Sequence, residues 1–333
     1  MSLDEGTQKP HERLAALLAG DLDQVNALIR ARMASRHAPR IPEVTAHLVE
    51  AGGKRLRPLL TLATARMCGY DGPYHIHLAA TVEFIHTATL LHDDVVDESK
   101  KRRGRPTANL LWDNKSSVLV GDYLFARSFQ LMTETGNLRV LGILSDAAAT
   151  IAEGEVLQLT AAQDLTTTEA IYLQVVRGKT AALFSAATEV GGVIAGRPEH
   201  EVQALFDYGD ALGIAFQIVD DLLDYWGSDA TGKNVGDDFR ERKLTLPLIK
   251  AFAAASDEEE RVFWKRVIEK GDQREGDLEH AIALLNRHGA LEATRQEALA
   301  WAGKAKAAME SLPQSELRDL LIDLNDYVVS RVS

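Results

Sequence analysis

The stretch HLAATVEFIHTATLLHDDVVDE, residues 77–98, is apolar around most of a helical circumference and then ends in acid. A second stretch, DYGDALGIAFQIVDDLLDYW at residues 207–226, repeats that design. A helix apolar on nearly every side belongs in the interior, because no face of it is matched to water. Two such helices set the centre of the fold, and the rest of the chain reads as helices laid around them. The nine prolines leave the stretches between Pro106 and Pro198 and between Pro247 and Pro313 free of helix breakers. Apolar residues recur at helical spacing, as in Leu14, Leu17, Leu18, Leu22 and Val25, or Ile171, Leu173, Val175, Val176 and Leu183. No run alternates as a strand does. Clusters such as Gly69-Tyr70-Asp71-Gly72-Pro73 and Gly196-Arg197-Pro198 read as turns. The expectation is an all-α fold of ten or more helices, with residues 1–10 as a disordered tail and 11–333 as a single domain.

Composition narrows the function. The 333 residues are 46% hydrophobic and 26% charged, enough apolar material for a large core, so general disorder is excluded. With 37 basic against 49 acidic side chains and a formal net charge of -12, the chain lacks the Lys/Arg surplus that binding to nucleic acid requires. The single Cys68 cannot close an intrachain disulfide, which fits a reducing cytoplasm. No stretch reaches the roughly 18 apolar residues of a membrane span, and no targeting leader is expected from MSLDEGTQKPHERL.

Each apolar helix ends in the same pattern, Asp93-Asp94-Val95-Val96-Asp97 and Asp220-Asp221-Leu222-Leu223-Asp224. On a helix the first and fifth residues share a face about one 5.4 Å turn apart, so each triple is a patch of carboxylates. One such patch alone reads as a solvated acidic helix end. Two, each placed where a buried helix runs out, call for counter-charge, since buried carboxylates persist only when paired or metal-bound. All-oxygen ligands suit a hard cation, and Mg2+ keeps water and bridges carboxylates to substrate phosphates. The loop spacing and glycine of an EF-hand are absent. A magnesium diphosphate site between two helices is the expectation.

Basic residues gather near both triples. Gly52-Gly53-Lys54-Arg55-Leu56-Arg57-Pro58 sets three cations ahead of Pro58, read as the first residue of a helix, and helix N-termini attract phosphate. Arg102, Arg103 and Arg105 follow the first triple; Lys233, Arg240 and Lys243 follow the second. Surface ion pairing would account for one such run, and its recurrence after both triples favours phosphate binding.

With these motifs in order, GGKRLRP, LLHDDVVDESKKRRGRPTAN, VGDYLFARSFQLM, Gly154-Glu155, RGKTAALF, FQIVDDLLD and GKNVGDDFRERKLTLP, the chain resembles the trans-polyprenyl diphosphate synthases, the head-to-tail prenyltransferases, over nearly its whole length. The resemblance implies an isoprenoid synthase fold, a homodimer, and repeated condensation of isopentenyl diphosphate onto an allylic diphosphate. It makes Asp93, Asp97 and Asp220 the main Mg2+ ligands, with Asp94, Asp221 and Asp224 in direct or water-mediated support. Lys54, Arg57, His86 and Arg103 would hold isopentenyl diphosphate. Arg102, Lys179, Lys233 and Lys243 would contact the allylic diphosphate, and Thr180 and Gln217 would line the cation. Taken alone, His86 reads as a core histidine, Gln217 as a buried helix-to-helix hydrogen bonder, and Lys179 as a solvated lysine beside a tolerated glycine. Arg242 stands where the family often has glycine, which puts the local loop and Lys243 in question.

In the family the product tail grows beside the first triple, and bulky side chains four or five residues before its first Asp stop growth early. Here those positions are Ala88 and Thr89, small enough to let the tail pass to a deeper wall at Phe129, Met132 or Leu144. The resemblance therefore implies a long-chain product of the octaprenyl to decaprenyl class, destined for a quinone side chain, with peripheral membrane contact for its release. A shorter-chain farnesyl or geranylgeranyl synthase is the alternative. A class I terpene cyclase would not need Lys54, Arg57 and the Arg102-Arg103 pair. A non-catalytic synthase subunit would be expected to have degenerate triples, and a structural cation-binding protein leaves the basic clusters unexplained.

Overall fold

The computed structural model describes residues 8–50, 54–102, 104–226 and 235–332. Among them the chain is helical almost throughout. In order come α1 (Pro10–Leu17), α2 (Ala19–Met33), α3 (Arg40–Glu50), α4 (Leu56–Met67) and α5 (Tyr74–Val96), then a two-residue hairpin of β1 (Lys101–Arg102) and β2 (Arg105–Pro106). Next are α6 (Ala108–Leu111), α7 (Asn114–Glu134), α8 (Leu138–Ala161), α9 (Glu169–Val176), α10 (Ala182–Ile194) and α11 (Glu199–Trp226). The last are α12 (Asp237–Arg240), α13 (Leu246–Ala254), α14 (Glu258–Trp264), α15 (Asp277–Arg287), α16 (Ala290–Glu310) and α17 (Glu316–Ser330). The two decisive stretches are α5 and α11, each starting earlier than its apolar run suggests. No described helix is long and apolar enough to cross a membrane. Three small departures from expectation appear. Helix α1 already begins at Pro10, inside the span read as tail; α4 begins at Leu56, so Pro58 is its third residue; and the turn after the first triple pairs as a hairpin through Gly104 at φ 77°. Pro58 fits there because the first four helical N–H groups have no partner within the helix.

The helix ends follow their local sequence. Gly69, at φ 79°, closes α4, with Tyr70 N–H bonding back to Ala65 C=O; Gly196, at φ 66°, closes α10, with Arg197 N–H reaching Gly192 C=O. Both are left-handed caps that glycine adopts without steric cost. Asp113 caps α7 by accepting from Ser116 N–H at 2.6 Å.

Contacts divide the chain into two compact units. The first comprises residues up to 148 with 186–206 and 312–321. Its centre is α5, packed against α2, α4 and α7, where Leu78, Ala79, Ala80, Val82, Ile85, Ala88 and Leu91 are fully buried. Thr61 Oγ1 donates to Ala187 C=O and Thr188 Oγ1 to Leu205 C=O, so these two buried hydroxyls are satisfied within the unit. The second unit comprises 149–185, 207–311 and 322–333. Its core contains the second half of α11, where Leu212, Ile214, Ala215, Ile218, Val219 and Leu222 are fully buried. Buried Trp264 donates its indole N–H to Glu260, which His288 also meets at 2.9 Å.

Candidate active site

The first triple sits at the C-terminal end of α5, and its three carboxylates are not equivalent. Asp93 is half-buried and Asp97, the C-terminal cap, is exposed. Asp94 is fully buried and its carboxylate is taken by Arg102, which donates from Nη2 to Oδ1 at 2.7 Å and from Nε at 3.0 Å. The expectation gave Asp94 a direct or water-mediated supporting role at the metal and Arg102 a contact to the allylic diphosphate; in the structure the two are paired with each other, since a buried carboxylate needs charged donors. Residue His92 fixes the same turn from the other side. Its ring stacks on Phe125, and Nε2 lies 3.1 Å from Val118 C=O, over Gly121 of α7. A Cβ on Gly121 would come within 2.2 Å of that nitrogen, so glycine is what lets the imidazole nest there.

A small cleft, with room of about 20 Å3, in the same unit is lined by His47, Glu83, His86, Thr87, Arg102 and Thr107. Arg57, on the first turn of α4, donates to His86 Nε2 at 3.2 Å, which leaves the imidazole proton on Nδ1. Arg55 turns the chain into α4 in the left-handed region, φ 49°, and pairs with Glu83 of α5. Thus Arg57 meets His86, and Arg102, expected on the allylic side, lines the same cleft, while Arg103 lies outside the described residues. Glu83 and His47 were not anticipated. Glu83 was findable, three residues before His86 on the same helical face; His47, held by Pro106 C=O at 2.9 Å and by an edge-on contact with Trp112, had no sequence signal.

In the second unit the triple at the end of α11 divides in the same way. Asp220 keeps its side chain one-third exposed, with Arg331 at 3.8 Å. Asp221 is buried and accepts from Tyr172 OH at 2.6 Å and from Gln217 Nε2 at 2.7 Å. Burial pushes the Tyr172 phenol well above its ordinary value, so it remains a donor. Asp224 is buried too and accepts the backbone N–H groups of Asp237 and Asp238 at 3.1 and 3.0 Å, the start of α12. Gln217 Oε1 in turn accepts from Thr180 Oγ1 at 2.8 Å.

Thr180 and Lys179 lie in a π-turn, Arg177–Ala181, in which Ala182 N–H reaches back five residues to Arg177 C=O. Such widened turns occur often at functional sites. Gly178 in this turn meets Gly154 of α8 so closely that a Cβ on Gly178 would lie 2.8 Å from Gly154 Cα, which only paired glycines permit. The turn is pinned at its start by Arg177 on Asp210 at 3.1 Å and over the Trp301 ring. Lys179 pairs with Glu155 at 3.0 Å, and Lys243 with Glu241 at 2.6 Å. Lys233 lies outside the described residues. Arg242, where glycine was expected, takes the left-handed φ of 59° that glycine would occupy freely, and its guanidinium lies 3.5 Å from the carbonyls of Ile268 and Glu269. A cation at the negative end of a helical turn is well placed.

Of the residues expected to set chain length, Ala88, Met132 and Leu144 are fully buried and Thr89 is partly accessible. Phe129 is 42% exposed on α7, so in the isolated chain its ring forms no internal wall. No group of three or more His, Cys, Asp or Glu side chains among the described residues is drawn together to hold a cation alone. Within each unit the donors nevertheless fit Mg2+: Asp93 and Asp97 in the first and Asp220 in the second offer hard oxygen atoms with access to solvent, and this ion completes its shell with water and phosphate oxygen.

Sequence reading also missed Asp238. Burial and the charges of Asp221 and Asp224 push its carboxyl well above the ordinary range, and burial pushes Asp221 the same way. Asp238 therefore holds a proton that the unfolded chain would release, and its contribution to stability falls as pH climbs from the ordinary carboxylate range through neutrality. Asp238→Asn should raise the melting temperature of the metal-free protein by roughly 2–4 °C at pH 8.5, with a smaller gain at pH 5, as read by differential scanning fluorimetry.

Residues 38–285 match the family profile of the polyprenyl synthetases. The chain is 46% identical over 321 residues to the octaprenyl diphosphate synthase of Escherichia coli strain K12, covering 96% of this chain and 98% of that one. Among solved structures it is similar to a decaprenyl diphosphate synthase from Rhodobacter capsulatus, at 76% identity and a TM-score of 0.95, covering 97% of this chain and all of that one. It is also similar to a polyprenyl synthase from Caulobacter crescentus CB15 complexed with calcium and isoprenyl diphosphate, at 50% identity and a TM-score of 0.91, covering 99% of each. Paired aspartate triples, basic partners and these likenesses agree: the chain is a prenyl-group transferase of the isoprenoid synthase fold and belongs to the polyprenyl synthetase family.

Proposed function

We propose that this protein condenses isopentenyl diphosphate repeatedly onto an allylic diphosphate, farnesyl or geranyl, in a Mg2+-dependent reaction that yields a long-chain all-trans polyprenyl diphosphate. The observation that carries the reading is the split within both triples: one set of carboxylates is locked by protein donors, while Asp93, Asp97 and Asp220 retain access to solvent. Asp93, Asp97 and Asp220 would hold Mg2+, with Asp94, Asp221 and Asp224 keeping them in place. Bound Mg2+ neutralises charge that builds on the departing diphosphate. Arg57 and His86, with Lys54 and Arg103, hold isopentenyl diphosphate; Lys179, Lys233 and Lys243 hold the allylic diphosphate, and Arg102 steadies Asp94 at the edge of the same cleft. Thr180 and Gln217 turn oxygen lone pairs toward the developing allylic cation. No protein nucleophile is required, and the proton lost after carbon–carbon bond formation goes to the diphosphate product. Purified protein given Mg2+, farnesyl diphosphate and labelled isopentenyl diphosphate should incorporate label, and EDTA should abolish it. No incorporation with any allylic primer would defeat the reading.

Small side chains at Ala88 and Thr89, together with the octaprenyl and decaprenyl relatives, support a product of that class and a quinone side chain as its fate. Thr89, partly accessible, is the position to test: Thr89→Tyr should shorten the product while condensation continues, as resolved by thin-layer chromatography. Tyrosine at the fully buried Ala88 would in addition cost about 1–3 kcal/mol of overpacking.

The working unit would be a cytoplasmic homodimer with transient membrane contact for product release. On α7, Val118 and Phe129 lie three turns apart on one face, beside Leu119, which is 67% exposed. An apolar stripe of this kind on a charged protein suits a second copy. Leu119→Asp should convert the dimer to monomer in sedimentation velocity.

A further inference from the structure

We propose that Tyr172 is a positioning residue for the condensation: by holding Asp221 it fixes the orientation of the Gln217 amide and the Thr180 hydroxyl. The inference rests on the synthase reading above. Eight residues separate Tyr172 from Thr180, which on a regular α-helix places them about 80° apart. The π-turn at Arg177–Ala181 sets the later residue back by about 100°, so both come to within about 20° of one face and both meet α11. The result is a directed relay. Tyr172 OH donates to Asp221 Oδ2, Gln217 Nε2 donates to Asp221 Oδ1, and Thr180 Oγ1 donates to Gln217 Oε1.

Direction is the point of the relay. A carboxylate accepts only, so Asp221 obliges Gln217 to present its NH2 on that side and its oxygen to Thr180. Thr180 must then donate, which leaves its lone pairs available to a developing allylic cation. Without Tyr172, Asp221 loses a donor on one oxygen and is released to rotate. Gln217 can then flip, and Thr180 would accept from the amide and offer its proton instead. Tyr172 itself is buried and need not touch the substrate. Its helix is held independently, by the Thr168 cap on Ile171 N–H and by Lys250 on Glu169 at 2.9 Å.

The test is Tyr172→Phe in the full-length protein, alone and combined with Gln217→Leu. The single variant should lower kcat about tenfold, the scale of a lost hydrogen bond to a charged group, with KM for isopentenyl diphosphate within twofold of wild type. In the Gln217→Leu background the same change should alter kcat less than twofold. In metal-free protein labelled with 15N-glutamine, the Gln217 side-chain amide should be protected from exchange in wild type and unprotected in Tyr172→Phe. A kcat within twofold of wild type, an equal loss in both backgrounds, or a protected amide in Tyr172→Phe would overturn the proposal, as would failure of that variant to fold. If the wild type itself made no product, the synthase reading would fail and the amide measurement would still judge the relay.

Discussion

A carboxylate at the end of a buried helix must find donors, bind a cation or give up its charge. Six aspartates face that constraint here, and the protein resolves it by dividing them. Asp94 is answered by a guanidinium, Asp221 by a phenol and an amide, and Asp224 by two backbone N–H groups. These are donors of different strength drawn from different elements, and they leave Asp93, Asp97 and Asp220 as the aspartates with access to solvent. Much of the surrounding architecture serves the division. The hairpin after α5 delivers Arg102, α9 delivers Tyr172, and the turn into α12 brings its amides to Asp224.

The cationic side chains obey the same rule in reverse. Arg55, Arg102, Lys179 and Lys243 each rest against a carboxylate, Glu83, Asp94, Glu155 and Glu241. An acidic chain thereby carries basic groups near its triples with little local excess of either sign. The formal net charge is -12, and six of the acids sit in the triples themselves. On the proposed reading three of those six, Asp93, Asp97 and Asp220, would recruit the cations that in turn recruit diphosphate.

Helix content, the central place of α5 and α11 and the caps at Gly69 and Gly196 were legible because each rests on a local rule: apolar period, absence of proline, glycine at a left-handed position. The triples were legible because acid after a long apolar run is a contradiction within one segment. What stayed hidden depends on pairing across segments. Nothing around Asp238 tells that Asp221 and Asp224 will crowd it, and nothing around Tyr172 tells that its hydroxyl meets an aspartate 49 residues away. The 42% exposure of Phe129 was hidden too, since its place near the chain-length positions came from resemblance and carries no local sign of burial. The pairing of Asp94 with Arg102 was hidden as well, because sequence lists charges without their partners.

The π-turn at Arg177–Ala181 has a consequence for the history and redesign of the protein. It is one residue of surplus in an otherwise continuous rod, accommodated without a loop and tolerated because Gly178 meets Gly154 with no side chain between them. Removing one residue of the turn ahead of Thr180 would give a more regular helix, with better backbone geometry and fewer demands on its neighbours. That improved helix would carry Thr180 about a quarter of a revolution away from Gln217. Here the imperfection is what is worth inheriting, and idealising the backbone would discard it.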